Sequence, residues 1–108
     1  MGIRSVGPDV KVVDMIKRID ALTSVEVGKT LDEALTGDVM KVICNFAQTA
    51  YIASAGIRVL IAAAKQMQQR GGMLCACCPN TAVQSIFAVT NLSLIIEVFG
   101  TEAEAISK

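Results

Sequence analysis

The sequence predicts a single α/β domain over residues 1–108, built on a largely parallel sheet with one antiparallel edge. Short apolar runs alternate with longer segments of helical periodicity, which is the order expected when helices connect parallel strands. A turn signal separates the first two apolar runs, and this favours a hairpin at one edge of the sheet. Hydrophobic residues make up 53% of the chain and charged residues 19%, so we expect a folded core rather than disorder.

The first part of the chain predicts a hairpin followed by a helix. A weak strand at residues 2–6 precedes a Gly-Pro-Asp turn at residues 7–9, and its hairpin partner is expected over residues 10–19. Residues 23–26 (Thr-Ser-Val-Glu) have the form of a capping box, in which hydroxyl and carboxylate satisfy each other's free backbone donors. The helix that follows carries apolar residues at helical spacing and is expected to stop near Gly37.

The rest of the chain continues the alternation of strands and helices. The predicted elements are a central strand at residues 41–46, a connection at 47–55, a helix at 56–70, a strand at 73–78, a helix from Asn80 to about Val89, a strand at 94–99 and a short terminal helix after Thr101. Asn80 is expected to cap its helix, and residues 101–104 repeat the capping-box pattern. No internal repeat or linker divides the domain.

Composition excludes several classes of function. Ten Lys and Arg residues balance ten Asp and Glu residues, so the chain has no general attraction to nucleic acid or anionic lipid. Histidine is absent, which removes histidine metal sites and the serine–histidine or cysteine–histidine catalytic pairs. No carboxylate pair is placed for acid–base chemistry, and neither a membrane span nor a signal pattern is present. We therefore expect a cytoplasmic protein that is not an enzyme, inserts into no membrane and holds no metal or cofactor.

Three of the four cysteines form a cluster of Cys75, Cys77 and Cys78, and the fourth is Cys44. A soft-metal or redox site is one interpretation, but no histidine or second cysteine pair completes the ligand set. Cys75 and Cys77 are expected to share one face of a strand, with Cys78 on the other, so the three thiols do not converge. Core packing of reduced thiols is therefore the favoured interpretation.

Ser54 is the most distinctive candidate site residue. It precedes the strongest predicted helix, and the small residues Ala53, Ala55 and Gly56 leave its hydroxyl sterically open. One interpretation is a helix cap, in which the hydroxyl accepts a backbone hydrogen bond. The other is a phosphorylation site, because free N–H groups at a helix start receive a phosphate of about −1.5 to −2 charge without unfolding the domain. The two roles are compatible, since a hydroxyl caps until it is modified.

Several segments, in order along the chain, resemble the STAS domain of bacterial anti-sigma factor antagonists. The central segment runs from the apolar strand at residues 42–46 through Tyr-Ile-Ala-Ser-Ala-Gly-Ile-Arg-Val-Leu at residues 51–60. Arg-Ile-Asp-Ala at residues 18–21 is similar to the step before the family's first helix, and Arg-Gly-Gly-Met-Leu at residues 70–74 to its helix–Gly–Gly–strand step. Further similar segments lie at residues 79–83, 89–92 and 98–105.

The resemblance implies an α/β domain with a mixed, mostly parallel sheet of about five strands and helices mainly on one face. It also implies a protein-interaction switch without catalysis. In that family the unphosphorylated antagonist binds an anti-sigma factor, often a GHKL-type serine kinase, and so frees a sigma factor. Phosphorylation of a loop serine by that kinase ends the binding, and a PP2C-type phosphatase restores it.

Carried over position by position, the resemblance makes Ser54 the phosphoacceptor. Partner binding is then expected around it, at Asp20, Asn45, Ala53, Ala55, Gly56, Ile57 and Arg58. Four positions depart from the family pattern: Lys17 replaces a usual glycine, Asn45 and Ala53 replace aspartates that are common there, and Ala55 replaces a second serine or threonine. The change at Ala53 removes a negative charge that could orient the serine or a group of the kinase.

Two other functions stay open at this point. A structural STAS module, in a signalling assembly or a lipid-transport ATPase complex, would use the same surface without phosphorylation. An enzyme or redox protein would depend on Cys77 or Cys78 instead. Phosphate transfer to Ser54 separates the switch from the first alternative, and the accessibility of the thiols tests the second.

Overall fold

A computed structural model describes the whole chain, residues 1–108. In order, the elements are β1 (Gly2–Gly7), β2 (Val10–Asp14), β3 (Arg18–Ile19), α1 (Thr23–Ala34), β4 (Lys41–Asn45), β5 (Tyr51–Ile52), α2 (Ser54–Gln69), β6 (Met73–Cys77), α3 (Thr81–Val89), a 3-10 helix (Leu92–Leu94), β7 (Glu97–Phe99) and α4 (Glu102–Ser107). The predicted α/β class is confirmed. None of these helices combines the length and the apolar character that crossing a bilayer requires.

The main sheet has five strands in the order β1-β2-β4-β6-β7. β1 pairs antiparallel with β2, whereas the other neighbours in this sheet pair in parallel. The predicted hairpin, the central place of β4 and the mixed character of the sheet are therefore confirmed. Because β2, β4 and β6 run in the same direction, the loops that follow them all start at the same end of the sheet, where the carboxyl ends of the strands lie.

The two faces of the main sheet are covered unequally. Val13 and Cys44 face a cluster of 23 buried residues that includes side chains of α1, α2 and α3. Their strand neighbours Val12 and Ile43 face a smaller cluster of 6 buried residues, which α4 covers with Ala105. This division follows from the two-residue period of a strand, and it puts three of the four helices on one face.

The short helix α4 is held on the sheet by polar contacts at both of its ends. Arg4 Nη2 donates to Glu102 Oε1 at 2.6 Å, and Asn45 Nδ2 donates to the same oxygen at 2.9 Å. Near the other end of α4, Lys41 Nζ donates to the carbonyl oxygen of Ala105 at 2.9 Å. The hydrogen bonds from Arg4, and then from Asn45, lower the pKa of the Glu102 carboxyl.

We expect Glu102→Gln to destabilise the protein by about 0.2–1 kcal/mol near neutral pH, the usual range for a partly exposed ion pair. Since the folded-state pKa of Glu102 is lowered, its stabilisation is present above the unfolded pKa and is lost as pH falls through the folded pKa. Urea unfolding of the variant and the wild type should therefore differ near neutral pH and converge in acid. Glu33→Gln, at an exposed position of α1, is the control. A gap that persists unchanged in acid would contradict this role of Glu102.

A second sheet consists of β3 and β5 alone, which pair in parallel with Ile19 opposite Ile52. Each strand has two residues, too few for a periodic signal, so the sequence predicts neither of them. The predicted strand over residues 10–19 is wrong beyond Asp14, because the chain leaves the main sheet there and residues 18–19 pair with β5. The predicted connection at residues 47–55 likewise contains β5.

The predicted strand over residues 94–99 is also too long. The N–H groups of Ile95 and Ile96 both donate to the carbonyl oxygen of Leu92 at 2.9 Å, so this stretch begins as a helical turn. Leu92 and Ile96 are buried and lie four residues apart, which is a helical rather than a strand spacing. Only residues 97–99 form the strand β7.

The caps of the last two helices are confirmed. Asn80 Oδ1 accepts a hydrogen bond from Val83 N at 2.9 Å at the start of α3. Thr101 Oγ1 accepts one from Glu104 N at 3.2 Å at the start of α4. Both caps satisfy a backbone donor that has no partner within its helix.

Candidate functional site

The starts of α1 and α2 lie side by side at one edge of the molecule. β3 leads into α1 and β5 leads into α2, and the two strands are parallel neighbours, so both helices begin at the same end of the small sheet. Ala53 N donates to the carbonyl oxygen of Ile19 at 2.7 Å, which ties the residue before α2 to the strand before α1. The structure therefore brings Asp20 together with Ala53 and Ser54.

Asp20 organises the start of α1. Its Oδ1 accepts hydrogen bonds from Leu22 N at 3.0 Å and Thr23 N at 2.9 Å, and Thr23 Oγ1 accepts one from Asp20 N at 2.9 Å. The capping box predicted at residues 23–26 is therefore wrong, because α1 already begins at Thr23 and the carboxylate of Asp20 satisfies the free donors. The backbone hydrogen bond from Thr23 is the main cause of the lowered pKa of the Asp20 carboxyl.

Ser54 is the first residue of α2, and its side chain is exposed. The N-cap residue is Ala53, whose carbonyl oxygen accepts from Gly56 N at 3.0 Å and Ile57 N at 3.1 Å. The capping role considered for Ser54 is therefore wrong: the cap position belongs to an alanine, which has no side-chain acceptor. No side chain caps α2, so the N–H groups of Ser54 and Ala55, which precede Gly56, have no partner within the helix, and the Ser54 hydroxyl belongs to the first of these residues.

Gly56 and Ile57 lie beneath this surface rather than on it. Gly56 is buried and Ile57 is 6% exposed. A Cβ atom at Gly56 would stand 2.5 Å from Ile19 Cγ2, closer than such atoms approach each other, and 3.0 Å from Ile52 Cγ2, which is also tight. The absence of a side chain at Gly56 lets α2 start directly against the small sheet, and this contact fixes the position of Ser54.

Large apolar side chains are exposed next to Ser54. Leu22 and Val25, at the start of α1, are 85% and 60% exposed, and Tyr51 of β5 is also exposed. These three residues were not predicted as site residues. Only Val25 carries a signal in the sequence: it lies off the buried apolar stripe of α1 formed by Val27, Leu31 and Ala34. Exposed apolar groups rimmed by charge are typical of protein-interaction sites.

Charged groups lie in the same region of the surface. The Arg18 guanidinium lies 4.7 Å from the centre of the Tyr51 ring, and its Nε is 3.4 Å from Asp20 Oδ2. Arg58 is exposed on α2 one turn after Ser54. We call the exposed and half-buried residues of this region the Ser54 surface: Arg18, Asp20, Leu22, Val25, Tyr51, Ala53, Ser54, Ala55 and Arg58.

No cavity opens at the Ser54 surface. The four cavities of the molecule are lined by other residues, and one of them, between α3 and β7, has a volume of about 320 Å³. Sites for small molecules are concave and enclose most of their ligand. The shape of the Ser54 surface therefore suits a macromolecule better than a small ligand.

Asn45 does not join the Ser54 surface. It ends β4 with its side chain on the face covered by α4, where Nδ2 bonds to Glu102. Its Oδ1 accepts from Ala47 N at 2.9 Å and so orders the loop that follows the strand. Since α2 and Ser54 lie over the opposite face, the structure separates Asn45 from the other predicted site residues.

The cysteines lie away from the Ser54 surface. Cys44, Cys75 and Cys77 are buried, and burial raises the pKa of the Cys75 thiol to about 11 and also raises the pKa of the other two. The prediction that Cys78 faces away from Cys77 is wrong. Cys78 follows β6 with a φ of 61° and packs against the cluster that contains Cys77. No group of three or more potential ligands is arranged to hold a metal ion.

Several solved structures have the same fold as this chain. SpoIIAA of Bacillus in its phosphorylated form has a TM-score of 0.75 at 19% identity, covering 98% of this chain and 96% of that one. An anti-sigma factor antagonist of Mycobacterium paratuberculosis has a TM-score of 0.86 at 15% identity, covering 97% and 88%. A sulfate transporter family protein of Wolinella succinogenes has a TM-score of 0.82 at 13% identity, covering 96% and 87%.

These identities are low, so the three structures establish a shared fold rather than a shared activity. The match to a protein family is more direct, because the STAS domain model matches residues 5–105. That range takes in the second half of β1, all the other strands, the first three helices and most of α4. The chain belongs to the STAS domain family.

Proposed function

We propose that this protein is an anti-sigma factor antagonist, a non-enzymatic switch that binds an anti-sigma factor through the Ser54 surface. The partner is a GHKL-type serine kinase, which ends the complex by phosphorylating Ser54, and a PP2C-type phosphatase restores binding. The observation that carries this proposal is the exposed hydroxyl of Ser54 at the start of α2, where no side chain caps the helix.

The apolar part of the Ser54 surface supports binding to a protein. Leu22 and Val25 are mostly exposed, so a partner that covers them removes their apolar area from water. Full burial of such side chains contributes about 1.5–3 kcal/mol each. The same surface carries Arg18, Asp20 and Arg58, charges of both signs that restrict the partners that fit.

The start of α2 also supports phosphorylation of Ser54. A helix N-terminus carries a partial positive charge, and its free N–H groups favour an anion there. Arg58 lies four residues after Ser54, the spacing at which side chains on a helix pair. The phosphate would therefore change the surface without unfolding the domain, and a partner docked over it would have to bury a charge. The phosphorylated SpoIIAA structure supports this, since it has the same fold.

A structural STAS module is the second candidate function. Ala53 favours it, because the acidic residue common in switch proteins is missing beside the serine. The similarity to a sulfate transporter family protein also favours it, since the same fold occurs there at almost full coverage of this chain. Such a module, in a signalling assembly or a transport complex, would keep its partner bound whether or not a kinase is present.

Phosphate transfer distinguishes the two functions. Incubation of the full chain with ATP and each GHKL-type kinase of the same genome should add one phosphate group, detected by intact mass and located at Ser54 by peptide mapping. Ser54→Ala should abolish the gain, whereas Ser85→Ala, at an exposed serine of α3, should retain it. A gain that survives Ser54→Ala would identify a different acceptor, and no gain with any kinase would favour the structural module.

A further inference from the structure

The charged residues of the chain are distributed unevenly. Ten Lys and Arg and ten Asp and Glu residues are present, but none of them lies between residues 71 and 96. The strand β6 in this range is buried, whereas α3 and the 3-10 helix are at the surface, where charged side chains are usual. Every exposed position from residue 81 to residue 95 is therefore uncharged.

Large apolar side chains are exposed where α3 turns into the 3-10 helix. Val89, the last residue of α3, is 80% exposed, Leu94 is 83% exposed, and Ile95 is also exposed. Valine is a weaker helix former than alanine or most charged residues, so the stability of α3 does not explain Val89. We call the exposed residues from 88 to 95 the uncharged face.

A cavity opens beside the uncharged face. It lies between α3 and β7, has a volume of about 320 Å³, and is lined by eight residues, four of them hydrophobic and none of them charged. Two lining residues, Ala88 and Ser93, directly precede Val89 and Leu94 in the chain. Projecting apolar side chains and a recess are thus neighbours. In a contact about a twofold axis, each copy both inserts such a projection and receives that of the other.

The uncharged face lies at the end of α3 that is remote from the Ser54 surface. The start of α3 is close to the loop before β5, since Asn80 Nδ2 donates to the carbonyl oxygen of Thr49 at 3.2 Å. From there the nine residues of α3 carry the chain about 13 Å along the helix axis. A molecule on the uncharged face therefore leaves the start of α2 open.

The absence of charge favours a second copy of this chain as the occupant. Different proteins are commonly brought together and told apart by opposite charges, which the Ser54 surface offers and the uncharged face does not. Near a twofold axis a charged side chain approaches its own copy and is repelled, whereas uncharged side chains are not. Glu97, the first charged residue after the face, is neutralised by Lys108 at 3.1 Å. Depletion of charge is also typical of the buried centre of an interface.

We propose that two copies of the chain form a twofold dimer through their uncharged faces. Val89 and Leu94 of each copy pack at the mouth of the cavity of the other, which removes these side chains from water. The face is smaller than a standard interface of roughly 20–30 residues a side, so the dimer is a weak one. We expect a dissociation constant between about 1 µM and 1 mM.

Analytical ultracentrifugation of the full chain over this range of concentration tests the proposal. The average mass should rise from the 11.4 kDa of one chain toward twice that value. Leu94→Asp should raise the dissociation constant at least about tenfold, because each copy would bury a carboxylate in the contact. Leu22→Asp is the matched control: it makes the same change at a leucine that is 85% exposed on the Ser54 surface, and it should dimerise like the wild type.

Three outcomes would overturn the proposal. A wild-type chain that stays a monomer at about 1 mM would mean that another molecule, or none, covers the uncharged face. Unchanged dimerisation of a folded Leu94→Asp protein would place the contact elsewhere. Growth beyond two copies would indicate a head-to-tail contact instead of a twofold one. The measurement uses neither a kinase nor phosphate on Ser54, so its result is independent of the proposed function.

Discussion

Ser54→Asp is expected to weaken the complex with the anti-sigma factor by roughly 30- to 1,000-fold, a loss of about 2–4 kcal/mol in binding free energy. The variant places a carboxylate where the partner covers the start of α2, and a buried charge without a partner is costly. The fold should be unaffected, since Ser54 is exposed and an acidic residue in the first turn of a helix is favourable. Titration calorimetry with the kinase identified by phosphate transfer measures the loss directly.

Matched variants separate this local effect from a general effect of charge. Ser85→Asp adds the same charge at an exposed position of α3 and should bind like the wild type. Ser54→Ala removes the hydroxyl without adding charge and should also bind, because the hydroxyl does not cap α2. Equal affinity of Ser54→Asp and the wild type would show that the partner binds elsewhere.

The effect of aspartate is a lower limit for that of phosphate. Aspartate adds a single negative charge, whereas phosphoserine adds about −1.5 to −2 near neutral pH. Arg18 and Arg58 lie in the same surface and offset part of any added charge. Replacing Arg58 would remove part of this offset, so we expect the variant Ser54→Asp/Arg58→Ala to bind more weakly than Ser54→Asp alone.

The sequence predicts those elements whose length allows a periodic signal. The helices α1 and α2 and the strands β4 and β6 are long enough for apolar spacing to identify them. β3 and β5 are not, because their only regular feature is the pairing of Ile19 with Ile52, a contact between distant parts of the chain. The cap of α1 could not be predicted from the sequence either. The pattern at Thr23 fits a capping box, and only the folded loop shows that Asp20 accepts the backbone hydrogen bonds at the start of α1.

In the candidate site too, some features follow from neighbouring residues in the sequence, and others depend on contacts between distant parts of the chain. The exposure of Ser54 follows from its small neighbours, and the local sequence is sufficient to predict it. The proximity of Asp20 depends on the parallel pairing of β3 with β5, which no local pattern predicts. The separation of Asn45 from the site depends on which face of β4 its side chain occupies, and α4 at the far end of the chain determines its partner. Distant contacts therefore decide which of the predicted residues meet.

Gly56→Ala is expected to destabilise the protein by about 1–3 kcal/mol, even though alanine is the better helix former. The new methyl group would stand 2.5 Å from Ile19 Cγ2 and 3.0 Å from Ile52 Cγ2, so either α2 or the small sheet must move. The strain falls in the first turn of α2 and displaces Ser54 from Asp20. Partner binding should therefore weaken as well, under conditions in which the variant is still folded.

Gly28→Ala is the matched control, because it makes the same substitution within α1. Its Cβ atom would lie 3.6 Å from Val59 Cγ1, an ordinary van der Waals contact, so the gain in helix propensity should dominate. We expect this variant to be more stable than the wild type by about 0.5–1 kcal/mol and to bind the partner normally. Urea unfolding curves of the two variants should therefore shift in opposite directions. A Gly56→Ala protein as stable as Gly28→Ala would mean that β3 and β5 move aside at little energetic cost. The contact of Gly56 with the small sheet would then not fix the position of Ser54.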